Sequence, residues 1–133
     1  MGFMTKIDKL EKAAKAQAEA EFLELIEIDS PSWGEQAIAK VLLRKLKELG
    51  LETQQDEPGN ISGYLPGNAS LPPILLSAPM DTVEPSKGKK AIIEPHGTIR
   101  SAGAAVLGAD CVAGLVEILQ GSRLAAALIL SEV

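Results

Sequence analysis

The apolar residues of this chain change their spacing at Gly50, and that change limits what the chain can fold into. Before it, Ile7, Leu10, Ala14, Ala18, Phe22, Leu25 and Ile26 recur at three- and four-residue steps, which lays one stripe along an otherwise charged helix. A second stripe follows the break "DSPS", with Ile38, Val41, Leu42, Leu46 and Leu49 ahead of the helix-ending Gly50. Ser32 and Glu35 have the spacing of a capping box for this second helix. After Gly50 come short extended candidates, "LETQQ", "ISGYL", "ILLSA", "AII" and "TIR", with Pro or Gly in every separator. "ILLSA" is apolar on both faces and predicts an interior strand under helices, whereas "LETQQ" alternates and predicts an edge. A third helix is expected from near Asp110 to Gly121, and "LAAALILSE" is expected to be a final strand after the Gly-Ser break. Helices before and around strands predict an α/β fold, with helices layered on a mixed, largely parallel sheet.

At 133 residues the chain suits one domain with a modest core, without repeats or a linker. Its 13 Lys and Arg against 18 Asp and Glu give a net charge of -5, which repels phosphate backbones and anionic lipid. Neither nucleic acid nor a membrane is an expected partner. The sole cysteine, Cys111, excludes an internal disulfide, and no signal peptide or apolar run of membrane-crossing length is read. These features predict a cytoplasmic protein.

Three stretches in order carry a resemblance from about Phe22 onward. They are "FLELIEIDSPSWGEQAIAKVLLRKLKELGLE" with "GNISGYLPG", then "LLSAPMDTVEP", then "PHGTIRSAGAAVLGADCVAGLVEIL". Together they resemble the peptidase T and carboxypeptidase G family of co-catalytic zinc metallopeptidases. The resemblance implies a catalytic α/β domain with two zinc ions at the carboxyl ends of parallel strands, and a smaller inserted domain. Residues 1–133 would then be a single, truncated catalytic-type domain.

The same resemblance assigns roles to individual positions. In the family's His-x-Asp motif the His binds zinc and the Asp orients it; here the motif reads Pro79, Met80, Asp81. Asp81 thus resembles an orienting carboxylate whose histidine is missing, and proline cannot replace that ligand. Within "GADCVAG", Asp110 matches the carboxylate that bridges both metals, while Cys111 and Val112 stand where the family has Asp and Lys. Asp110 also suits capping of a helix start. Glu132 in "LILSEV" matches the family's general base, with Val133 at the position of a ligand. The family's remaining ligands would lie beyond Val133.

Cys111 has two readings: a reactive or soft-metal thiolate favoured by a helix start, or a small buried hydrophobe. His96 falls in a Pro-x-Gly turn that normally faces solvent. Zinc needs about four ligands, and of the family's set Asp110 alone is clear. The expectation is a family fragment or degenerate homologue that holds no zinc stably and hydrolyses no peptide by itself. One alternative is a hydrolase with a rebuilt metal site using Asp81, Asp110, Cys111 or Glu132, shared between subunits and acting on a peptide substrate. The other is an oligomerising scaffold. An open edge along "LAAALILSE" predicts a homo-oligomer through that strand.

Overall fold

The computed structural model describes residues 2–131, with side chains placed for residues 8, 9 and 11–129. Three helices and two hairpins make up the chain: α1 (Gly2–Ile26), α2 (Gln36–Glu48), β1 (Glu52–Gln55), β2 (Ile61–Tyr64), β3 (Ala91–Ile93), β4 (Ile99–Ser101) and α3 (Ala109–Ser131). The core forms where the helices meet, from Leu25 and Ile26 of α1, Ile38, Leu42 and Leu46 of α2, and Cys111, Val112, Leu115, Val116 and Leu119 of α3. Each such aliphatic side chain contributes about 1.5–3 kcal/mol when fully buried. Phe22 and Ala18 pack against this cluster, whereas Ala14 is exposed, so the α1 stripe meets the core over its last two turns. Ile7 and Leu10 lie outside the described side chains.

Gly50 ends α2 as the sequence predicts. At φ 86° it occupies the left-handed region that a side chain resists, and its N–H donates to the Lys47 carbonyl at 2.9 Å. Leu51 N–H then reaches back to the Leu46 carbonyl at 3.1 Å, which completes a Schellman closure and turns the chain into β1. The start of α2 differs from the expected capping box. Glu35 is the N-cap and makes no side-chain cap bond; its carboxylate instead accepts the Trp33 N–H at 2.8 Å, and the Ser32 hydroxyl is drawn away to Asp81.

The strands "LETQQ", "ISGYL", "AII" and "TIR" form where expected, β1 antiparallel to β2 and β3 antiparallel to β4. They make two separate two-stranded sheets, so the expected continuous, largely parallel sheet is replaced by hairpins. Parallel pairing occurs at one bridge, Pro31 with Thr82. The segment "ILLSA" forms no strand, and Ile74, Leu75 and Leu76 are 88%, 90% and 56% exposed rather than interior. A strand needs a neighbour to satisfy its backbone, and no backbone hydrogen bond from a described residue reaches this segment.

The expected final strand "LAAALILSE" is also corrected. Its described part continues α3, which runs through Gly121 and Ser122 without a break. Ala and Leu are the strongest helix formers, and one Gly costs a helix only about 1 kcal/mol relative to Ala. The uninterrupted stretch from Ala109 to Ile129 is long and apolar enough to cross a membrane by length and composition, which a reading split at Gly121 misses. Its first three turns are nevertheless core, since Val112, Leu115, Val116 and Leu119 are buried against α1 and α2.

Candidate functional site

The segment that carries Asp81 is held against the start of α3. Ala78 and Met80 pack on the core, and Gly114 permits this, because a Cβ there would lie 3.1 Å from that of Ala78. Thr82 N–H donates to the Ser30 carbonyl at 2.7 Å, fixing the residue after Asp81 beside the α1–α2 connection. The Thr82 hydroxyl, 4% exposed, lies 3.1 Å from the Ser30 hydroxyl and 3.5 Å from the Cys111 thiol. The residues that follow Asp81 and Asp110 thus touch, and the end of the extended segment meets the first turn of α3.

Asp81 is half-buried, and its carboxylate accepts the Ser32 hydroxyl at 2.6 Å. Pro79, exposed, occupies the position from which the histidine of the resembled motif would project. Asp110 is exposed in the first turn of α3, where its charge meets the positive end of the helix dipole. No hydrogen bond or ion pair joins its side chain to another described residue. Cys111 is 4% exposed and shares its thiol between the Gly108 carbonyl and Thr82, both at 3.5 Å, the placement of a buried hydrophobe with weak polar contacts. His96 is exposed in the turn between β3 and β4. Glu132, the candidate general base, lies outside the described residues.

Lys89 sits among the lysines of "SKGKK", where local composition carries no signal for a buried side chain. Its side chain is 1% exposed, and its Nζ donates to the Thr82 hydroxyl at 3.0 Å. Burial pushes its ammonium below the ordinary lysine range, against the opposing pull of Cys111 and Asp29. The neighbouring Asp29 carboxylate accepts the Gly88 N–H at 2.9 Å and so pins the loop that aims Lys89 inward. The interior beside Asp81 and Asp110 therefore holds a cation, two hydroxyls and a thiol.

These donors do not suit a zinc ion. Among the described residues no three His, Cys, Asp or Glu side chains come together as a metal-holding group. The Asp81 carboxylate is engaged by the Ser32 hydroxyl. Two open surface grooves lie elsewhere. One of about 620 Å³ follows α2 past Lys40, Arg44 and Lys47, and one of about 460 Å³ lies between Phe22, Leu107 and Val116.

No family model matches the chain. It is 36% identical over 111 residues to the uncharacterized protein YqjE of Bacillus subtilis, covering 77% of this chain and 30% of that protein. Its fold is similar to that of a tripeptidase from Staphylococcus aureus, with a TM-score of 0.70 and 33% identity over 80% of this chain and 31% of the other. Aminopeptidase PepT from Bacillus cereus is similar at a TM-score of 0.68 and 31% identity, with the same coverage. The chain spans under a third of the length of each of these relatives. Its mixed α/β architecture is part of the fold seen in these two peptidases, and its resemblance is to hydrolases.

Proposed function

We propose that residues 1–133 are the first portion of a peptidase fold of the tripeptidase and PepT kind, and that they hydrolyse no peptide by themselves. Similarity in both fold and sequence to the two peptidases supports the descent. The chemistry proposed for a complete relative is attack on a peptide carbonyl by zinc-activated water, assisted by a glutamate base. The observation that carries the loss of activity is the setting of Asp81: its carboxylate is bonded to Ser32, and the residue two places earlier is Pro79. A carboxylate can orient a histidine ligand only where the histidine exists. Asp110 would be left as a solvated helix-start charge, and Cys111 as core.

The test is turnover of a tripeptide by the purified chain with zinc supplied, with and without a chelator. The expected rate equals that of the zinc-containing buffer in both cases. Chelator-sensitive turnover that co-purifies with the chain would overturn the reading in favour of a hydrolase with a rebuilt metal site.

A further inference from the structure

We draw no further inference here: the strongest candidate, the buried side-chain cluster of Lys89, Thr82, Ser30 and Cys111 beside the first turn of α3, is bonded within itself through the Thr82 hydroxyl and lines neither surface groove, so nothing among the described residues points to a ligand or a reaction there.

Discussion

Glu21 has three partners on two other helices, whereas Lys89, just as buried, has one hydroxyl. The Glu21 carboxylate, 5% exposed, accepts from Gln120 at 2.9 Å, from Lys45 at 3.3 Å and from Arg123 at 3.3 Å. Burial alone would raise its pKa, but Arg123, Gln120 and Lys45 outweigh it and hold the carboxyl below its ordinary value of 4.5. A lowered carboxyl pKa stabilises the fold above pH 4.5, and that contribution disappears as pH falls through the folded value. Lys45 runs the other way: burial opposes its charge, Glu24 and Glu21 prevail, and its contribution is lost as pH rises past 10.5 through the higher folded value. Replacing Glu21 by Ala should therefore cost about 2 kcal/mol at neutral pH and flatten the acid limb of the stability profile, as read by denaturant unfolding. Lys89→Met should do the reverse and stabilise the fold by about 1 kcal/mol, because a buried ammonium with one neutral acceptor gives way to a matched apolar chain. Restoring the missing ligand alone, by Pro79→His, should leave tripeptide turnover at the background rate, because one histidine and the carboxylate behind it do not make a four-ligand site. Turnover in that variant would mean that the other ligands are already in place.

Gly50, Gly121 and the segment over residues 74–78 show which elements can be read locally. The end of α2 was legible because a glycine at a left-handed position follows an amphipathic stripe, and both signals lie within a few residues. Gly50→Ala keeps the contacts and forces a side chain into that conformation, so it should lower stability by about 1 kcal/mol in denaturant unfolding. Gly121 carries no such role: the Gly-Ser pair suggests a break, but "LAAALIL" has the composition of a helix and α3 runs through it. A sign-reversing substitution distinguishes the two readings at exposed Ala127. In a helix Ala127→Thr costs about 0.5 kcal/mol, whereas in a strand a β-branched residue would stabilise. A more stable Ala127→Thr protein would contradict the helical assignment. The apolar run over residues 74–78 implies burial on both faces, yet burial depends on neighbours that local sequence cannot supply. The Ser32–Glu35 spacing failed for a related reason: Asp81, 49 residues away, takes the Ser32 hydroxyl.

At the scale of the whole molecule, the helix core is well formed, but the strands beside it are hairpins and one unpaired segment. In each of the two peptidases the matched portion makes up 31% of the chain. The structure brings Thr82 and Cys111, the neighbours of Asp81 and Asp110, together. Lys89 was not legible, since burial of a lysine from a cationic loop depends on Asp29 and Thr82 contacts far along the chain. We propose that these residues do not assemble a zinc site. Equilibrium dialysis of the purified chain against micromolar zinc, with bound metal counted per chain, tests it most directly. The expected result is far less than one zinc per chain, lost at modest ionic strength; one or two zinc ions retained per chain would contradict the account.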